Sequence, residues 1–151
     1  MKKLLLLLLL TACGSPGPNS IDPVFVPYYN VFVAEAAAHG ITIPINSGLT
    51  IKFQEINDTN ALGEVVAECT AVGYHDGTIL VDGRAWESSL APEQQLIVAH
   101  ESFHCLLDEQ HVTGVNDIMN ALINNSLPYF EDPTQQPAMW DRAFAAKGNA
   151  G

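Results

Sequence analysis

The spacing of apolar residues changes three times along the chain, and each change marks a different kind of element. Between positions 28 and 39, Tyr28, Phe32 and Ala36, flanked by Val31 and Val33, recur at helical spacing. Gly40 follows where a C-terminal glycine belongs, so this segment predicts an N-terminal helix. From Ile41 to Val81 the pattern changes to short β-rich runs. Leu49, Ile51 and Phe53 alternate with Thr50, Lys52 and Gln54, and two further runs cover 65–72 and 78–81, giving three predicted strands. Asp58-Thr59-Asn60 marks one connection, and Tyr74-His75-Asp76-Gly77 reads as the hairpin turn between the last two strands. At Pro92 the helical period returns. Glu93 and Gln94 lie in a first turn, and Leu96, Ala99, Phe103 and Leu106 form one apolar face of a central helix, with Ala91 a weak N-cap. A polar turn and a methionine-containing stretch lead to a last predicted helix at 137–146, where Met139, Trp140, Ala143 and Phe144 can pack back on the domain. The expected fold class is therefore α+β, a twisted and mostly β sheet with an N-terminal, a central and a C-terminal helix.

The start of the chain lies outside this pattern. Lys2 and Lys3 precede an unbroken run from Leu4 to Leu10, followed by Thr11, Ala12 and Cys13, the order of an export signal. Seven leucines are too few to span a bilayer, which takes about 20 apolar residues. Leu10-Thr11-Ala12-Cys13 resembles the lipobox of bacterial lipoproteins, in which the signal is cut before a cysteine that is then lipidated. The resemblance implies a mature chain beginning at Cys13, lipid-anchored in the cell envelope. Gly14 follows the cysteine instead of an inner-membrane-retaining aspartate, which favours the outer membrane in a Gram-negative cell. Residues 14–20, with Pro23 soon after, have the composition of a tether. The expected organisation is a signal at 1–12, a lipidated Cys13 and linker at 13–24, and one domain at 25–151.

Charge then narrows the partners. Six basic residues face 17 acidic ones, a formal net charge of -11, which disfavours nucleic acid. Loss of residues 1–12 removes two lysines and no acid, so the exported form is more acidic still. A hydrophobic fraction of 48% with 15% charged residues, inflated by the leucine run, is that of a chain able to bury a core.

The central helix carries His100-Glu101-Ser102-Phe103-His104. Histidines four apart on a helix project from one face about one turn apart, close enough for both imidazoles to bind one metal ion, and Glu101 can reach a metal-bound water. A catalytic zinc site generally has three protein ligands. His111 is the nearest third donor, with Asp108, Glu109 and the more distant Glu131 as alternatives. His39 reads as a structural cation at a helix C-terminus, and His75 as an exposed turn residue, with a metal or substrate contact as the alternative.

His100, Glu101, His104 and His111, with Met119 in a downstream turn, together resemble the metzincin clan of zinc peptidases, in particular small matrixin-like bacterial lipoproteins. The likeness is specific from about His100 to Asn120. Two departures stand out: the clan's helix-ending glycine is replaced by Leu107, and His111 comes one residue late. A left-handed Asp108 and the extra residue would carry the chain round. The resemblance implies a Zn2+ cofactor, Glu101 as general base, a methionine turn beneath the metal, and a peptide or protein substrate extended along an edge strand, for which 78–81 is the candidate. Ala121 stands where some clan members place an auxiliary tyrosine. Cys69 and Cys105 remain after lipidation of Cys13, and either pair as a disulfide or stay as buried thiols. The expected activity is a zinc metallopeptidase; the alternative is an inactive metal-binding or interaction lipoprotein, which would need no base between its histidines.

Overall fold

The computed structural model describes residues 19–57, 59–60, 63–64, 66–73, 76–113 and 116–148. The expected signal, Cys13 and His75 lie outside the described residues.

Phe25, Tyr29, Phe32 and Ala36 are all buried, and this stripe fixes the orientation of helix α1, Val26–Ala38. Pro27 occupies its first turn, where a missing N–H costs nothing. Gly40 terminates it with φ 77°, a conformation that a side chain disfavours.

The described residues form six short strands instead of the three expected: β1 Ser20–Ile21, ahead of the β-rich segment, β2 Thr50–Phe53, β3 Thr59–Asn60, within the stretch read as a connection, β4 Gly63–Glu64, β5 Ala67–Gly73 and β6 Asp76–Val81. Four form a mixed sheet in the order β1-β2-β6-β5, parallel except for β5, while β3 and β4 make a separate antiparallel pair. Ser20 and Ile21, inside the stretch read as tether, thus pair with Thr50 and Ile51. β6 is not the edge strand that was expected. Ile79 is flanked by Ile51 on one side and Cys69 on the other, and Ile51, Ile79 and Val81 are fully buried. Pairing with β2 on one side and β5 on the other makes 76–81 an interior strand. Among the described residues, β5 pairs with β6 alone and forms the open edge on that side.

Helix α2, Gly83–Ser88, has no counterpart in the predicted elements because six residues are too few to display a period. Its start is set by Asp82, whose Oδ1 accepts the N–H groups of Arg84 at 2.9 Å and Ala85 at 3.1 Å, and whose Oδ2 accepts that of Ile56 at 3.0 Å. Buried Trp86 packs its ring against Phe25 and Tyr28 of the α1 segment.

Helix α3, Ala91–Leu107, is buried nearly all round from Leu96 onward, and packs against α1, β5, β6 and a short helix α4, Ile123–Phe130. Helix α5, Gln136–Gly148, closes the core. Its Met139, Trp140, Ala143 and Phe144 are all buried, as the spacing predicts. Phe103 lies among Phe32, Trp140 and Phe144 with ring centroids 4.7–6.2 Å apart. Aromatic contacts of this kind contribute about 0.5–1.5 kcal/mol each beyond area burial, so the middle of α3 is firmly held. Among the described residues no helix is long and apolar enough to cross a membrane.

Candidate metal centre

The site begins where α3 stops. Asp108 adopts φ 55° and ψ 34°, the left-handed conformation, and is the non-glycine residue with positive φ among those described. Its N–H returns to the His104 carbonyl at 3.2 Å and that of Glu109 to the Phe103 carbonyl at 3.2 Å, so two carbonyls at the helix end find donors. Aspartate tolerates this region better than most residues with a Cβ. The reversal takes the chain back along the helix and places His111 beside the two helical histidines.

The Nε2 atoms of His100, His104 and His111 lie 3.1 Å from one another in all three pairings. Four-coordinate zinc with bonds of about 2.0–2.1 Å would set its nitrogens about 3.3 Å apart, so the triangle has the size of one face of a tetrahedral site. Tautomers sharpen the fit. His100 Nδ1 donates to the Ile118 carbonyl at 2.7 Å and His104 Nδ1 to the Glu109 carbonyl at 2.6 Å. A carbonyl only accepts, so each Nδ1 carries the proton and each Nε2 presents a lone pair inward. Lone pairs converging at this distance repel unless a cation lies among them. The three histidines are therefore a group that could hold a metal ion.

Electrostatics favours the neutral rings. Burial pushes the His100 pKa down to about 3, opposed by the Ile118 carbonyl and reinforced by the neighbouring His104 and His111. Burial also lowers that of His104, against the effect of the Glu109 carbonyl. Glu101 is 5% exposed, and burial first, then the Glu68 carboxylate, raise its pKa to about 8, while a hydrogen bond from the Cys69 N–H pulls the other way.

The turn after His111 braces the triad. Asp117 Oδ1 accepts the Met119 N–H at 2.9 Å, an Asx turn that aims the Ile118 carbonyl at His100. The Met119 carbonyl accepts the N–H of Val112, the residue after His111, at 2.9 Å. Buried Met119 thus belongs to a turn tied to both ends of the site. Ser126 Oγ donates to the Asp117 carbonyl at 2.6 Å and Asn120 Oδ1 accepts the Leu122 N–H at 2.7 Å, which joins this turn to α4.

The other sequence candidates separate cleanly. Asp108 acts through its backbone, Glu109 lends its carbonyl to His104, and exposed Glu131 is the C-cap of α4; none belongs to the metal-holding group. His39 caps α1, with Nδ1 on the Glu35 carbonyl at 2.7 Å and Nε2 on Asp141 at 2.9 Å. Cys69 and Cys105 form a disulfide between β5 and α3, with Cα atoms 5.6 Å apart. Sequence reasoning missed the carbonyls of Ile118 and Glu109 and the N–H of Cys69. Every residue carries such groups, so only the turn expected at Met119 pointed toward one of them.

Compared with described protein families, with curated proteins and with solved structures, the chain matches none.

Proposed function

We propose that the chain is a zinc-dependent peptidase. The observation that carries this reading is the triangle of inward-facing histidine nitrogens with the carboxyl of Glu101 on the same helix. His100, His104 and His111 would hold Zn2+, which when bound acidifies a water and polarises a substrate carbonyl. A bound cation would favour the ionised form of Glu101 over the protonated form that burial favours in the metal-free site, and that carboxylate accepts the water's proton and passes it to the leaving amine. The Ile118 and Glu109 carbonyls keep two rings in the tautomer that offers Nε2.

The substrate in this reading is an extended peptide laid along β5. That strand replaces β6 because it is the free edge, and because its Cys69 N–H already reaches Glu101. The metzincin likeness of His100, Glu101, His104, His111 and Met119 supports the same reaction class. Attachment to the cell envelope through Cys13 is part of the proposal, supported by the Lys2-Lys3, leucine-run and Leu10-Thr11-Ala12-Cys13 order.

One observation favours a second reading, a metal-binding envelope protein without turnover: the Glu101 carboxyl is buried and takes a backbone hydrogen bond. Elemental analysis of residues 19–151 followed by a peptide-library assay decides between them. One zinc per chain with hydrolysis that falls about 10²- to 10⁴-fold in Glu101→Gln, zinc retained, supports the peptidase. Zinc without hydrolysis leaves the binding protein, and absence of zinc removes both.

A further inference from the structure

The free edge of β5 has a register that can be read from one bond. The Asp82 N–H donates to the Val66 carbonyl at 2.9 Å, and these residues continue the pairing Ala67↔Val81. Val66 and Asp82 are therefore a hydrogen-bonded antiparallel pair, and such pairs alternate along the ladder. Glu68 with Leu80 and Thr70 with Thr78 are the next two. Ala67, Cys69 and Ala71 consequently turn their backbone N–H and C=O groups outward, away from β6. The Cys69 N–H found on Glu101 is one of these outward donors.

The side chain of the same residue is fixed as well. Cys69 Sγ is bonded to Cys105, which follows His104 directly in α3. The packing round this link is tight: a Cβ on Gly77 would come within 2.9 Å of Cys105 Sγ and 3.3 Å of the Thr70 carbonyl. Glycine at 77 lets β6 pass beneath the disulfide. One residue of the edge strand is thus tied twice to one turn of α3, covalently to the neighbour of a histidine of the triad and by its amide to Glu101.

We infer that the Cys69–Cys105 disulfide is a positioning element for Glu101: it holds the outward amide of Cys69 where that amide fixes the carboxyl. The role assigned to Glu101 rests on the peptidase reading; the positioning itself does not. The link sets the distance between the helix bearing the histidines and the strand along which a peptide would lie. Without it β5 keeps its ladder to β6 but is free to move away from α3, and Glu101 loses its fixed partner.

The test is amide hydrogen exchange on the metal-free protein, read at residue 69 against the Glu68 and Thr70 amides, which bond to β6. In wild type the Cys69 amide is protected although it faces away from the ladder. Glu101→Ala lowers its protection at least about tenfold and leaves Glu68 and Thr70 unchanged. The double variant Cys69→Ala/Cys105→Ala gives the same selective loss at residue 69. Should that variant fail to fold, Gly77→Ala displaces Cys105 Sγ with the disulfide intact and lowers protection in the same direction. Unchanged protection at residue 69 in the folded disulfide variants overturns the inference, as does an equal loss at all three amides, which would mean general loosening. Zinc stoichiometry of the same samples is independent: its absence removes the peptidase reading and leaves the exchange result standing. With zinc bound and peptide turned over, the disulfide-free protein shows kcat lowered and KM unchanged.

Discussion

Two histidine environments, one after helix α1 and one on helix α3, show how one side chain is prepared for opposite tasks. His39 joins α1 to α5: its ring stacks on Phe144 at 4.6 Å, and its nitrogens meet the Glu35 carbonyl and the Asp141 carboxylate. The carbonyl, then the carboxylate, raise its pKa above the ordinary imidazole value, which favours the charged ring. His100 is also hydrogen-bonded to a carbonyl, yet burial and two neighbouring imidazoles drive its pKa down to about 3. A carbonyl alone does not decide the charge. The surrounding charges and the loss of water do, and here they separate a structural clamp from a ring that could hold a metal ion.

The largest way to break this contrast is His111→Ala, which removes one corner of the triangle. Zinc affinity measured by chelator competition should fall at least about 100-fold, since the loss of a ligand exceeds the 10- to 100-fold cost of disturbing an outer partner. A smaller effect belongs to Asp117→Ala. It removes the acceptor of the Met119 N–H and loosens the turn carrying the Ile118 carbonyl, and should lower zinc affinity about tenfold with helix content unchanged by circular dichroism.

Acid sharpens the same contrast. The unfolded chain binds a proton at His100 near pH 6.5 and the folded metal-free chain near pH 3, so between these values the unfolded state holds more protons. Stability of the metal-free protein should decline as pH falls from 6.5 toward 3, and the urea midpoint measured across that window will show it. His39 has the reverse sign. Its raised pKa means a contribution present below pH 6.5 and lost as pH rises through the folded value. His39→Gln should therefore lower the melting temperature slightly at pH 5.5 and leave it unchanged at pH 9. With Asp141 72% exposed, the pair contributes less than about 1 kcal/mol.

Much of this was legible in the residues. The spacing of His100 and His104 is set by the helical period, and both rings emerge on one face as the period requires. The departure at Leu107 was readable too, because aspartate is among the few side chains able to enter the left-handed region. The α+β class followed from the change of period, and the last helix from Met139, Trp140, Ala143 and Phe144. What failed was nonlocal. That β6 is interior depends on its pairing with β2, 28 residues earlier in the chain, and no local pattern distinguishes an apolar edge from an apolar centre. α2 and α4 were too short to show a period, and the groups that orient the imidazoles are main-chain atoms indifferent to residue type.

The order of the sheet also decides how the domain is presented. The chain enters through β1, with Ser20 N–H on the Leu49 carbonyl at 2.8 Å and Asp22 N–H on the Ile51 carbonyl at 2.9 Å. β1 and β5 form opposite margins, three strand spacings or about 14 Å apart. The tether proposed for the residues before Asn19 would then join the domain at β1, the margin opposite β5, and would leave the β5 margin open to an approaching chain.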